Sequence, residues 1–162
     1  MFEIGEYICY PMHGAGKVEA IEEREVLGAC GIYYVLFFYC DKIKIMVPVE
    51  KACEIGLRKI IQKNEIPTVF EAMRLEPVEE DSNWNRRYRQ NLDKLREGSP
   101  ASIAEVLKSL TARDARRGLS AGEKKMLVNA RRFLLGELFL AGGGSEEELN
   151  VKIDECISQG IV

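Results

Sequence analysis

The segment SNWNRRYRQNLDKL combines two residue types that recognise nucleic acids, an aromatic ring and several guanidinium groups. Trp84 is the only tryptophan in the chain, and Arg86, Arg87 and Arg89 follow it closely. An indole can stack on a base or wedge between base pairs while arginines neutralise the phosphates. Cations in the first turn of a helix also oppose its macrodipole, so Arg86 and Arg87 cost helix stability unless a partner uses them. The pattern therefore indicates contact with a polyanion.

The same segment has a purely structural interpretation. On a helix, four aromatic or apolar side chains would lie within roughly 80° of one another: Trp84, Tyr88, Leu92 and Leu95. Trp84 would then begin a core stripe, and the arginines would form a solvated face. Trp84 lies in the first turn, however, where such a stripe frays. Periodicity alone leaves both interpretations open.

Two further basic clusters lie downstream. Arg113, Arg116 and Arg117 fall in the last turn of a predicted helix, where cations complement the macrodipole. Lys124 and Lys125 fall in the first turn of the next helix, where cations are disfavoured but free backbone N–H groups bind phosphate. The turn between these clusters is therefore a second candidate phosphate contact.

The net charge of −3 conceals an uneven distribution of charge. Residues 83–132 hold 13 Lys and Arg against 5 Asp and Glu, whereas the rest of the chain holds 10 against 21. An acidic protein with one concentrated basic segment indicates a single surface built for a polyanion.

The first 55 or so residues have the periodicity of β-strands. Alternating or β-branched runs at 4–10, 17–26, 32–39 and 43–47 are separated by turn signals at 27–31 and 41–42. Aromatic and β-branched residues favour sheets, and short strands joined by glycine-containing turns are typical of a small, curved antiparallel barrel. We therefore predict a β module over residues 1–56.

The period becomes helical after Glu54. Short helices are expected around Pro67, followed by an acidic connector, and residues 57–82 together form this linking region. Stronger helices are predicted at 83–97, 100–117 and 120–141, with a Ser–Glu capping box at 120–123 and Ser99 as an N-cap. They form a basic helical module over 83–141, and an acidic tail helix is expected within 142–162. The predicted fold is an α+β chain of two modules.

Several other classes of function lack support in the sequence. The five cysteines are odd in number and contain no CxxC pair, which argues against disulfides or zinc and favours reduced, mostly buried thiols in a cytoplasmic protein. No apolar run approaches the roughly 20 residues of a membrane span, and the N-terminus has no secretion signal. His13 is the only histidine, and no nucleophile, metal-protease or nucleotide-binding motif occurs. We therefore expect no catalytic residue, no metal and no cofactor.

Four stretches resemble the CarD/CdnL family of bacterial RNA polymerase-binding regulators: IGEYICYPMHGAGKVEAIEER, IKIMVP, NWNRRYRQNLDKL and RGLSAGEKKMLVNARRFLLGELFLA. The likeness extends over about residues 5–141. The YPxHG turn, NWxRRY and GLSAGEK occur in the family's order and at the family's spacing, which makes the resemblance specific.

The resemblance implies a Tudor-like N-terminal barrel, similar to the polymerase-interacting domain of the transcription-repair coupling factor, and an all-α C-terminal bundle. The barrel would bind the RNA polymerase β subunit near the upstream edge of the transcription bubble. The family tryptophan corresponds to Trp84, which would enter the minor groove of promoter DNA at the upstream fork and hinder bubble collapse. The implied DNA contacts are Trp84, Arg86, Arg87, Arg89, Lys124 and Lys125.

On the polymerase side, a family basic residue corresponds to Arg24. A second family arginine is replaced by Met46, which removes a charge from the docking surface, and Lys44 on the same strand face is the candidate substitute. Val47 and Pro48 complete the implied contact. The resemblance thus implies a monomeric stabiliser of the promoter open complex. The alternatives are an adaptor that pairs its arginines with an acidic protein without touching DNA, and a small-molecule enzyme, which would need a polar pocket.

Overall fold

The N-terminal part of the chain is a five-stranded antiparallel sheet. The structure, a computed structural model, describes residues 1–161. The strands are β1 (Tyr7–Tyr10), β2 (Gly14–Val26), β3 (Ala29–Phe38), β4 (Ile43–Pro48) and β5 (Arg58–Lys59). Their order is β4-β3-β2-β1-β5, and all pairs are antiparallel. The predicted small antiparallel barrel is confirmed, with β4 and β5 as its two edges. The strand β5 was not predicted, because two residues are too few to show a period.

The sheet curves because one of its long strands is irregular. A register shift between Val18 and Ala20 interrupts the pairing of β2 with β3, and such a bulge bends a strand and increases its twist. The turn between these strands is shorter than predicted, with positive φ at Leu27 (53°) and Gly28 (79°), as in a tight two-residue hairpin. The inner face of the sheet buries a small core: Ile8, Val18, Tyr34, Leu36, Phe38 and Val47.

Five helices follow the sheet: α1 (Ile66–Arg74), α2 (Trp84–Glu97), α3 (Pro100–Arg117), α4 (Ala121–Leu140) and α5 (Glu146–Gly160). Single turns of 3-10 helix occupy Val49–Lys51 and Lys63–Glu65. The last four helices each begin after a residue whose side chain accepts a backbone N–H: Asn83, Ser99, Ser120 and Ser145. These caps satisfy N–H groups that would otherwise lack a partner. The predicted all-α bundle is confirmed, and its helix starts agree with the predicted ones within a residue.

The core of the bundle includes two segments that we predicted from the sequence to lie outside it. Helix α1 contributes Phe70 and Met73, and α5 contributes Leu149, Ile153 and Ile157, all of them buried. The acidic residues of α5 lie on its outer face, so its composition conceals an apolar stripe that packs inward. The C-terminal segment is therefore part of the bundle and not an appended tail. Val162 lies outside the described residues.

The sheet and the bundle are joined by an ion pair between the partly buried Arg58 and the buried Glu137. Arg58 on β5 donates from Nη1 and Nη2 to the two carboxylate oxygens of Glu137 on α4, at 2.6 and 2.8 Å. Arg58 also donates to the Gly98 carbonyl at 2.6 Å, and the Ile61 N–H donates to Glu137 at 3.0 Å. Glu137 is completely buried. Gly14 lies against Phe133, with room for no side chain of its own, so the sheet and α4 approach closely there.

The thiols and the surface show no specialised chemistry. All five cysteines are free, and Cys9 and Cys156 are buried while Cys30, Cys40 and Cys53 are exposed, so the prediction of mostly buried thiols is wrong. Burial raises the pKa of the Cys9 thiol to about 12. Within residues 1–161, no helix is long and apolar enough to cross a bilayer, and no cluster of three potential metal ligands occurs.

The ion pair between the two modules can be tested by removing its cation. In Arg58→Ala, Glu137 keeps a buried charge without its partner, and we expect the free energy of unfolding to fall by about 3 kcal/mol. The matched control is Lys59→Ala, which removes an exposed pair with Glu6 and should leave the free energy of unfolding nearly unchanged. Urea denaturation followed by circular dichroism measures both. Equal stabilities of the two variants would show that the pair does not hold the modules together.

Candidate nucleic-acid interface

Trp84 is the first residue of α2 and remains substantially exposed. Its side chain keeps 44% of its surface accessible. The indole stacks on the Tyr88 ring, with centroids 5.2 Å apart and planes inclined by 22°. Its Nε1 donates to the Ser120 hydroxyl at 3.2 Å. Trp84 is therefore not a core residue: Leu95, two turns after Tyr88, anchors the helix, and Trp84 stands at its exposed end.

The first turns of α2 and α4 meet at this point. Ser120 is the N-cap of α4, and the Tyr88 ring lies against Gly122 in the first turn of that helix. A β-carbon at Gly122 would lie 3.2 Å from the Tyr88 ring, so glycine permits the close approach. Two helix N-termini thus share one end of the bundle. Their free N–H groups and dipoles make this end electropositive independently of any side chain.

Arg87 lies beneath this surface and not on it. Its side chain is 3% exposed, and its Nε donates to Glu123 Oε1 at 2.8 Å. Its Nη1 donates to the Asp81 carbonyl at 3.1 Å. The predicted DNA contact of Arg87 is therefore corrected, because a buried guanidinium with these partners cannot reach a phosphate. The unfavourable position of this cation in the first turn is offset inside the protein, by a carboxylate from the neighbouring helix.

Glu123 is the carboxylate that joins the two helices. Burial alone would raise the pKa of Glu123, but hydrogen bonds from the Ser120 backbone, Arg87 and the Ser120 hydroxyl outweigh it and lower that pKa below its ordinary value. Its Oε2 accepts from Ser120 N at 3.0 Å and from Ser120 Oγ at 2.9 Å. Glu123 therefore stays ionised at neutral pH, and the pair with Arg87 is a true ion pair.

Four other predicted cations face solvent in the first two turns of α2 and α4. Arg86 is exposed and lies 3.8 Å from Asp81, a long and weak contact. Arg89, Lys124 and Lys125 are exposed and form no ion pair with any part of the chain that the structure describes. Lys124 follows Ser120 by one helical turn and so lies on the side of α4 that holds the indole. The structure thus brings the indole and mobile positive charge together at one end of the bundle.

Arg113, from the cluster at the end of α3, lies between the acidic connector and the junction of α2 with α4, and its Nε is 3.8 Å from Glu123 Oε1. Arg113 lies 3.5 Å from Glu80, and a cleft of about 480 Å³ runs between residues 77–82 and the end of α3. Arg116 and Arg117 line the same cleft. The connector therefore supplies a carboxylate to Arg113, in addition to the dipole complementation expected from the sequence.

The residues predicted to bind polymerase lie mostly on the outer face of the sheet. Met46 on β4 pairs with Val35 on β3, which pairs in turn with Ala20 on β2. Arg24 pairs with Gly31. This register places Arg24 and Met46 on the face of the sheet opposite the core. Lys44 and Pro48 share that face by alternation. Lys44 is exposed and pairs with Glu19 at 2.6 Å, and Arg24 pairs with Glu22 at 2.5 Å.

Val47 differs from its neighbours, because its side chain is buried in the core of the sheet. Val47 lies on the edge strand β4, so it can present only its backbone atoms to a partner. The sequence also missed a row of half-buried apolar residues on the outer face of β3: Tyr33, Val35 and Phe37. The unbroken apolar run at residues 32–39 was the available signal, because a strand with a single apolar face alternates with polar residues.

Comparison with known proteins covers nearly the whole chain. Residues 2–61 match the family described as the CarD-like/TRCF RID domain, and residues 68–154 match the CarD C-terminal domain. The solution NMR structure of the N-terminal domain of Myxococcus xanthus CarD is 32% identical, covers 36% of this chain and 79% of that chain, and has a TM-score of 0.32. The putative transcription factor YdeB of Bacillus subtilis is 38% identical over 155 residues, which is 92% of this chain and 97% of that protein. The two family matches and this near full-length relative establish that the chain belongs to the CarD-like family of transcription factors.

Proposed function

We propose that this protein binds the RNA polymerase β subunit through its sheet and stabilises the promoter open complex by inserting Trp84 at the upstream edge of the bubble. One observation carries the proposal: the only tryptophan stands exposed where two helix N-termini meet. A structural tryptophan would be buried, and a purely electrostatic surface would need no indole. The combination suits a ligand with both phosphates and stacked bases.

The polymerase contact is supported by the outer face of the sheet. This face combines the exposed Met46 with the apolar row on β3 and the flanking cations Arg24 and Lys44. Strand β4 lies at the edge of the sheet and leaves one row of backbone groups unpaired. The match of residues 2–61 to the RID family points to the same partner.

The mechanism depends on differential affinity. A wedge that binds melted DNA better than duplex DNA shifts the equilibrium toward the open complex by that difference alone. Stacking worth about 1–3 kcal/mol would shift the open fraction by roughly 5- to 150-fold. Phosphate contacts bind all DNA similarly, so Arg86, Arg89, Lys124 and Lys125 orient the protein and Trp84 discriminates. Tethering to polymerase raises the local concentration, so weak intrinsic affinity for DNA is sufficient.

A second candidate function is an adaptor whose basic surface binds an acidic protein. It is favoured by the contacts of Arg86 with Asp81 and of Arg113 with Glu80, because these arginines already pair with carboxylates of the protein. Electrophoretic mobility shifts at low salt with polymerase present separate the two functions. Failure to contact DNA under those conditions supports the adaptor.

The wedge is tested by Trp84→Ala. We expect the open-complex lifetime to shorten by roughly 5- to 150-fold, because the stacking energy is lost, while binding to polymerase is unchanged. The control is Phe139→Ala, which removes another aromatic side chain of equal exposure, 45%, from the far end of α4. Lifetimes are measured by competitor challenge of preformed complexes. A folded Trp84→Ala protein with a normal lifetime would rule out the wedge.

The phosphate contacts are tested by the double variant Lys124→Ala/Lys125→Ala. If each lysine neutralises one phosphate, the slope of log K against log salt concentration should become less steep by about 0.9 per contact. Stability should not fall, since cations in the first turn of α4 are unfavourable to the helix. Lys51→Ala, an exposed lysine of the β module, is the control. An unchanged slope in the double variant would remove these lysines from the interface.

The polymerase surface is tested by Met46→Glu. Met46 is exposed, so the substitution should leave the fold intact, but it places an unpaired charge against a partner. We expect binding to the isolated β subunit, measured by biolayer interferometry, to weaken by at least about tenfold. Val151→Glu, on the outer face of α5, introduces the same charge at an exposed valine as the control. Equal affinities of the two variants would place the docking surface elsewhere.

A further inference from the structure

The N-termini of α2 and α4 are joined by a chain of hydrogen bonds that begins and ends on α2. Arg87 donates to Glu123, Glu123 accepts from Ser120, and Ser120 accepts from Trp84. Arg87 lies one turn after Trp84 on the same helix, so the chain closes on itself. We infer that Ser120, Glu123 and Arg87 are positioning residues that hold the Trp84 indole in its DNA-facing orientation before DNA is bound. This inference rests on the proposed function.

The Ser120 hydroxyl is fully used in this chain. A hydroxyl has one donor and two acceptor positions. Ser120 Oγ donates to Glu123 Oε2 at 2.9 Å and accepts from Glu123 N at 3.3 Å and Trp84 Nε1 at 3.2 Å. Because Glu123 fixes the direction of the hydroxyl hydrogen, one lone pair is left pointing at the indole. The ion pair with Arg87 in turn fixes Glu123.

The ring of Tyr88 provides the second support. It contacts both Gly122 of α4 and the indole of Trp84. One indole face is thereby covered, and its N–H edge is held by Ser120. The accessible remainder of the ring is what a base can stack on. The indole can therefore meet DNA without leaving either support.

A second capping box in the same chain shows what capping alone requires. At the start of α5, Ser145 accepts from Glu148 N at 3.2 Å, and Glu148 accepts from Ser145 N at 3.1 Å. Both residues are exposed, and among the described residues neither forms a hydrogen bond or an ion pair with an arginine. The box at Ser120 adds a buried carboxylate and a buried arginine, which capping does not need. Buried ion pairs are poor stabilisers compared with apolar packing but fix geometry well.

The functional gain is preorganisation. Immobilising a flexible side chain during binding lowers affinity by about 2- to 12-fold, and a side chain already held in place avoids that loss. Ser120 therefore contributes to the open-complex lifetime without touching DNA. Its contribution should be smaller than that of Trp84 itself.

The positioning role can be measured without DNA, because Trp84 is the only source of tryptophan fluorescence. Ser120→Gly removes the hydroxyl at little cost to the cap, since glycine is a tolerated N-cap. In the full-length protein we expect the ratio of held to released indole to fall by about 2- to 10-fold, seen as lower fluorescence anisotropy and stronger acrylamide quenching. Ser120→Thr keeps a hydroxyl and should restore both signals. Ser145→Gly, the matched cap on α5, should change neither.

The open-complex lifetime then separates this inference from the proposed function. With Ser120→Gly, the lifetime should fall by about 2- to 12-fold, less than with Trp84→Ala. If Trp84→Ala leaves the lifetime unchanged, the wedge is wrong, whatever the fluorescence reports. If Trp84→Ala shortens the lifetime, and Ser120→Gly releases the indole but leaves the lifetime unchanged, then holding the indole in place is not needed for function. Unchanged anisotropy and quenching in folded Ser120→Gly overturn the hydrogen-bonded support.

Discussion

The buried ion pair between Arg87 and Glu123 joins the start of α2 to the start of α4, and the candidate DNA surface depends on that junction. It brings two positive helix ends together, and it places Ser120 within hydrogen-bonding distance of Trp84. Because both charges are desolvated, removing Arg87 would leave the buried Glu123 with only the longer contact of Arg113, at 3.8 Å, and its hydrogen bonds from Ser120. The exposed cations around Trp84 are free to meet phosphates because these internal charges are already satisfied.

A second, partly buried ion pair links the two modules. Arg58 and Glu137 connect the sheet to α4, the same helix whose first turn supports the indole. The outer face of the sheet and the exposed end of the bundle are therefore parts of one connected structure. We propose that the protein binds polymerase with the sheet and DNA with the end of the bundle. Because the two modules are connected, docking of the sheet on polymerase would also fix the position of the DNA-binding end.

Much of the fold could be predicted from local signals. Ser99 and Ser120 marked helix starts because capping is read from a few adjacent residues, and glycine-containing turns marked the strand ends. The position of Arg87 could not be predicted, because its partner Glu123 lies 36 residues away and sequence alone did not pair them. The helix dipole correctly predicts that a cation at Arg87 needs a nearby negative charge. We expected DNA phosphates to supply that charge, whereas Glu123 supplies it. For Trp84, the structure sharpened the prediction: Tyr88 and Ser120 hold it at the surface, and neither was recognisable as a support from spacing.

Our proposal is that this protein lengthens the life of melted promoter DNA. Its most direct test is the lifetime of the open complex on a ribosomal-RNA-type promoter, measured with and without the full-length protein at fixed salt. We expect the lifetime to be longer by roughly 5- to 150-fold when the protein is bound to polymerase. An unchanged or shorter lifetime, with binding to polymerase demonstrated in the same reaction, would contradict it.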